Sequence, residues 1–169
     1  MGWRLRRQPL TVIVHNGLRQ TEETAALIAD QRTQRPQVES EPDWREADYG
    51  VWEGQTYHDV MRYHAADAHA RFANPWRIAP AEGETMSAVQ CRARIAWQQL
   101  LRRHDGGRIA LVTAATPIQL VLCDLLGMDP VGYWRLRIDL GSLSCVDLYP
   151  TAAIVRTINE VARLQRQAG

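Results

Sequence analysis

Two apolar runs in this chain end in residues that could do chemistry. Val12-Ile13-Val14 leads into His15-Asn16-Gly17, and Ile109 to Thr113 leads into Ala114-Ala115-Thr116-Pro117. A histidine at a strand end is a candidate nucleophile, or a structural group that hydrogen-bonds its own turn. Glu46 lies between Trp44 and Trp52. Such an acid could protonate a leaving oxygen, or pair with a nearby arginine. The two tryptophans could line a ligand cleft or build core. The other histidines, His58, His64, His69 and His104, have no paired metal spacing; His64 and His69 are five apart and do not share a helical face. They read as solvated surface. Cys91, Cys123 and Cys145 show no CxxC spacing and read as buried free thiols. No metal and no cofactor is therefore expected.

The elements that must position these residues follow from periodicity. Leu10 to Val14 and Ile109 to Thr113 are continuously apolar and predict interior strands. From Thr21, the spacing of Ala25, Leu27, Ile28 and Ala29 predicts a helix, with Glu22 and Glu23 in its first turn. Thr33 to Trp44, with Pro36 and Pro42, predicts a loop with a short strand at Val38. Met86, Val89, Ala93, Ala96, Trp97, Leu100 and Leu101 share one face of a helix from about Thr85 to His104. Thr116 reads as the N-cap of another helix, with Pro117 first inside it and Gly127 closing it. Leu143 to Leu148 and Ala152 to Ile158 predict an antiparallel pair around Tyr149-Pro150, followed by a terminal helix over Asn159 to Gln167. Strands alternating with helices place the chain in the α/β class, with a ligand site at strand carboxyl ends.

Composition narrows the function classes. At roughly 150 residues per domain, 169 residues read as a single domain with a full core. The chain is 46% hydrophobic and 23% charged, and no apolar run approaches a membrane span. Met1 to Leu10 lacks the apolar stretch of a signal peptide, so the cytoplasm is the expected location. A net charge of +1 argues against a nucleic-acid partner held by bulk electrostatics. All twenty basic residues are arginine; a genome-wide bias explains that as well as a site would.

Several segments, in order, resemble the histidine phosphatase superfamily, the phosphoglycerate mutase-like fold. Trp44 to Gly54 (WREADYGVWEG) is similar to the family's LREIxFGxWEG segment. Asn16 to Ala25 (NGLRQTEETA) resembles SPLxRAxxTA, Glu82 to Thr85 (EGET) its GGES, and Ile109 to Leu122 its strand-THGG-helix unit. Asp139 to Ser142 (DLGS) is similar to DNAS and Asn159 to Leu164 (NEVARL) to NDTAHL. The likeness runs from about residue 10 to the end, nearest to the small phosphomonoesterases that include α-ribazole phosphatase-like enzymes. It implies a three-layer α/β sandwich. In that family a neutral histidine attacks the phosphoryl group, two arginines and a second histidine stabilise its charge, and a carboxylic acid protonates the leaving oxygen.

The resemblance carries Glu46 to the proton-donor position and Asn16, Arg19, Gln20, Ala114 and Ala115 to the phosphate pocket. The departures fall on the same positions. The first strand, with its RHG, has no counterpart in this sequence. Ala114 stands where the second histidine belongs, and Gln20 takes the arginine position with Arg19 beside it. Laying Val12 to Gly17 on the strand-RHG instead would put Asn16 at the nucleophile. The expectation is a catalytically degenerate member that acts as a binding or assembly module. The alternatives are an active phosphomonoesterase whose RHG strand comes from upstream or another chain, and an obligate oligomer subunit. Expected partners are a phosphorylated small molecule, held weakly at free amides after Thr116, and a second copy or another protein. Neither nucleic acid nor membrane is expected. Asn16, Arg19, Glu46 and Ala114 should converge on one depression.

Overall fold

The computed structural model describes residues 5–161. Strand β1, Val12–His15, is buried along its whole length, as its unbroken apolar character requires. It lies at the centre of a parallel three-stranded sheet, between β2, Gln37–Ser40, and β3, Ile109–Val112. The register sets His15 opposite both Ser40 and Val112, so the strand ends and the turns after them share one edge.

Alternation along β1 builds the two faces of a three-layer α/β sandwich. Val12 and Val14 pack on one side with Trp44, Ala93, Ala96 and Leu100, three of these from helix α4, Met86–Arg103. Ile13 points to the other side, against Ala25, Ile28 and Ala29 of helix α1, Arg19–Asp30. Each large aliphatic buried this way contributes roughly 1.5–3 kcal/mol. Helices α2, Tyr57–Tyr63, and α3, Ala65–Ala73, are joined through His64 and cover Trp52 with Val60 and Ala68. Helix α5 spans Ala115–Leu126, and strands β4, Leu143–Tyr149, and β5, Ala152–Glu160, form a separate antiparallel pair.

The structure differs from the sequence expectations in several places. The residue capping α5 is Ala114, so Thr116 and Pro117 lie inside the first turn, and the Ala114 side chain itself makes no cap bond. Gly127 does end the helix, in the left-handed conformation (φ +63°) that an L side chain resists. β3 is not interior. It forms the edge of its sheet among the described residues and is half-buried throughout. Asn159 and Glu160 belong to β5 instead of opening a helix, and residues 162–167 of that expected helix lie outside the described residues. Cys91 is exposed, Cys145 half-buried and Cys123 buried, all as free thiols. His104 is not surface: its Nε2 lies 3.3 Å from Glu39 Oε2, with the side chain largely covered.

Candidate functional site

The carboxyl ends of β1 and β3 deliver His15-Asn16 and Thr113-Ala114 side by side. His15 is buried, and its Nδ1 accepts the Gly17 amide at 3.2 Å, which leaves the proton of a neutral ring on Nε2. That is the structural use of a strand-end histidine. Asn16 is buried as well; its Oδ1 accepts the Thr21 hydroxyl at 2.5 Å and the Leu18 amide at 3.1 Å. These bonds tie the turn to the start of α1. Asn16 Nδ2 is sealed from solvent without an acceptor.

Glu46 reaches the same edge from the segment after β2. Its Oε1 accepts the Ala47 amide at 2.8 Å, and its Oε2 accepts the Thr116 amide at 3.2 Å in the first turn of α5. A carboxylate at a helix N-terminus is favoured by the macrodipole. The expected pairing of Glu46 with an arginine is therefore replaced by backbone amides. One of the amides that sequence reasoning left free for a phosphate, at Thr116, is taken.

Arg92 of α4 fixes this segment from below. Its Nε and Nη2 meet Glu84 Oε1 and Oε2 at 2.9 and 2.8 Å, while Nη1 donates to the carbonyls of Asp43 and Arg45 and Nη2 to that of Glu46. The Asp48 amide donates to Glu84 Oε2 at 3.0 Å. Burial pushes the Glu84 carboxyl up, but the Arg92 bonds, the Asp48 amide and the surrounding positive charge outweigh it and hold the pKa below the ordinary value. The Thr113 hydroxyl donates to the Trp44 carbonyl, closing the other side.

Asn16, Glu46 and Ala114 thus share one edge of the sheet. Arg19 stands at the start of α1, but its side chain is exposed and paired with Glu23 at 2.7 Å, directed along its own helix. Gln20 follows it on the exposed side. Ala115 and Ala114 bring no side-chain donor to the start of α5. Trp44 is fully buried in the core, edge-on to Trp97 at 6.4 Å. Trp52 is 5% exposed and meets Phe72 in a tilted ring contact at 6.2 Å, on the wall of a cavity of about 290 Å³ shared with Tyr49, Glu53 and Tyr57.

Sequence reasoning gave no role to Tyr49 or Tyr133, which feel the charge of Glu46, nor to Arg71, whose charge acts on both phenols. Burial raises both phenol pKa values, and the charge of Glu46 raises them further while that of Arg71 opposes it. Arg71 is 4% exposed, and burial lowers its pKa. A lone arginine on an alanine-rich helix gave no signal in the sequence. Among the described residues no cluster of three or more histidine, cysteine or acidic side chains could hold a metal ion, and no helix is long and apolar enough to cross a membrane.

The sequence matches the histidine phosphatase superfamily (branch 1) over residues 1–161. The chain belongs to that family. It is 29% identical over 164 residues to the bifunctional protein Rv2228c of Mycobacterium tuberculosis, covering 96% of this chain and 44% of that protein. It thus spans less than half of that relative's length. It is 27% identical over 152 residues to the adenosylcobalamin/alpha-ribazole phosphatase of Escherichia coli, across 89% of this chain and 73% of the relative. The fold is similar to that of YhfR from Bacillus stearothermophilus, with a TM-score of 0.86 at 22% identity, across 95% of this chain and 79% of that one.

Proposed function

We propose that this chain is a non-catalytic histidine phosphatase-family module that binds an anionic ligand or a protein partner. One observation carries the reading: at the positions where the family resemblance calls for a second histidine and an arginine, the chain has Ala114, after β3, and Gln20, on the exposed side of α1. An alanine can neither donate a hydrogen bond nor move a proton. Glu46, the one retained acid, points both oxygens at backbone amides. Losing one positioned donor typically costs on the order of a hundredfold in rate, and here several are replaced together.

The test is hydrolysis of an aryl phosphate by the parent chain and by Glu46→Ala, across pH and with added divalent metal. Equal, background-level rates are expected. Glu46-dependent turnover, or a phosphohistidine lost in His15→Ala, would overturn the reading.

A second reading is an active phosphomonoesterase completed by another strand. It is supported by the apolar β3, whose outer edge is unpaired among the described residues. Addition of a strand bearing a histidine, from preceding sequence or another chain, would then restore Glu46-dependent hydrolysis.

A further inference from the structure

Asn16-Gly17 is the one Asn-Gly pair in the sequence, and its surroundings hold the groups that ring closure at such a pair needs. The backbone nitrogen of the glycine can attack the amide carbon of the asparagine side chain, because no side chain of its own blocks the approach. The reaction requires a base for the N–H, donors for the carbonyl oxygen and a leaving nitrogen that nothing holds. All three are present. The Gly17 N–H donates to His15 Nδ1 at 3.2 Å, so the nucleophile is already bonded to a basic ring nitrogen. Asn16 Oδ1 accepts the Thr21 hydroxyl at 2.5 Å and the Leu18 amide at 3.1 Å, two donors placed where charge develops as the carbon becomes tetrahedral. Asn16 Nδ2 is sealed from solvent without an acceptor, so among the described residues no bond ties down the group that must leave. A Cβ at Gly17, where φ is +81°, would lie 3.1 Å from Ser40 Oγ, which keeps the position open for glycine.

We infer that Asn16-Gly17 is a self-modification site, at which the folded chain converts the asparagine to aspartate and isoaspartate through a cyclic imide. His15 Nδ1 takes the Gly17 amide proton as that nitrogen bonds to Asn16 Cγ, and the carbonyl electron pair moves onto Oδ1. The Thr21 hydroxyl and the Leu18 amide hold the resulting oxyanion. When the carbonyl re-forms, the Cγ–Nδ2 bond breaks, and Nδ2 takes the proton back from His15 and departs as ammonia. Water then opens the imide at either carbonyl; one opening leaves an ordinary aspartyl link, the other an isoaspartyl link with the chain running through the side-chain carbon. Gly17 is exposed, so water reaches the imide from that side. The product carboxylate stands just before α1, where the macrodipole favours it, and adds a negative charge to the sheet edge that carries Glu46. The modification needs no bound ligand, and it holds whether or not the chain turns over a phosphate ester.

The experiment ages the purified full chain at neutral pH and one temperature, folded in one sample and unfolded in urea in another. Mass spectrometry follows the tryptic peptide from Gln8 to Arg19, and enzymatic methylation of that peptide reads its isoaspartate. A positioned base contributes roughly a hundredfold or more, while free rotation helps the unfolded chain reach the attacking geometry. The folded chain should therefore convert Asn16 at least about tenfold faster than the unfolded one. Asn74, which precedes Pro75 and so has no N–H to attack it, and Asn159, which precedes Glu160, should stay unconverted as internal controls. His15→Gln offers the Gly17 amide an acceptor but moves no proton, and should slow the folded rate at least about tenfold. Thr21→Val, which leaves the Leu18 amide as the remaining donor to Oδ1, should slow it too. Circular dichroism confirms that each variant is folded; if His15→Gln is not, Thr21→Val and the folded-to-unfolded ratio of the parent decide. An Asn16 that outlasts in the folded chain its own lifetime in urea, or a folded His15→Gln that converts at the parent rate, would overturn the site.

Discussion

Gly50 shows how narrowly single residues fix the loop that carries Glu46. Its φ is +52°, and a Cβ there would lie 2.1 Å from the Ala81 carbonyl and 2.6 Å from the Gly83 amide nitrogen. Left-handed backbone alone costs an L residue roughly 1–2 kcal/mol, and this contact is backbone on backbone, which no rotamer change relieves. Gly50→Ala should therefore destabilise the fold by at least about 2 kcal/mol, measured by urea unfolding. An unchanged midpoint would mean that the two loops separate freely. Glu46 itself was legible from its place in the WREADYGVWEG segment, but its partners were not, because a carboxylate chooses between an arginine and an amide by distances that no spacing encodes. His15 was legible in kind: a strand-end histidine followed by Asn-Gly bonds its own turn, and it does so through Nδ1. Arg71 was invisible, since nothing in the spacing of an alanine-rich helix marks which of its charged residues is buried.

At the scale of elements, Arg92 and Glu84 join α4, the loop at Ala81 to Gly83 and the segment from Trp44 to Asp48 into one unit. The Arg92 side chain is 12% exposed and that of Glu84 21%, so removing one partner strands the other. Arg92→Leu should cost about 3 kcal/mol at neutral pH. The Glu84 pKa is lowered on folding, so the stability it contributes is present above the ordinary carboxylate range and lost as pH falls through the folded value. Urea unfolding of the parent should accordingly weaken below about pH 4, and Glu84→Gln should flatten that slope. A slope unaltered by Glu84→Gln would place the acid sensitivity elsewhere. The helices that face the core were legible because period and burial agree: α4 buries Met86, Val89, Ala93, Ala96 and Leu100 on one stripe. The cap of α5 was misread because Thr116 and Pro117 are good terminal residues in either register; the helix begins at Ala115, where Glu46 can reach the Thr116 amide. The end of β5 was misread because Asn159 takes a positive φ of 57° within the strand, braced by its Oδ1 accepting the Asp139 amide at 2.7 Å and its Nδ2 bonding Asp139 Oδ2.

For the whole molecule the telling feature is a sheet in two pieces. Four apolar residues of β3 have the composition of a strand covered on both faces and paired on both edges, yet among the described residues β3 pairs only with β1, and β4 only with β5. Leu143, at the start of β4, packs near Val112 against the cluster around Ile13, so the two pieces share a core without sharing a hydrogen-bond ladder. Composition predicted β3 as interior because it reports burial of side chains and is blind to which backbone edges find partners. An unpaired apolar edge is a template for another strand. A second copy would supply one at high concentration, and binding that favours the folded state raises the melting temperature with concentration. Between about 1 and 100 μM chain, the melting temperature should rise by several degrees, and sedimentation should show a concentration-dependent dimer. A melting temperature that holds constant over this range, with monomer mass throughout, would show that the β3 edge does not recruit a second copy of this chain.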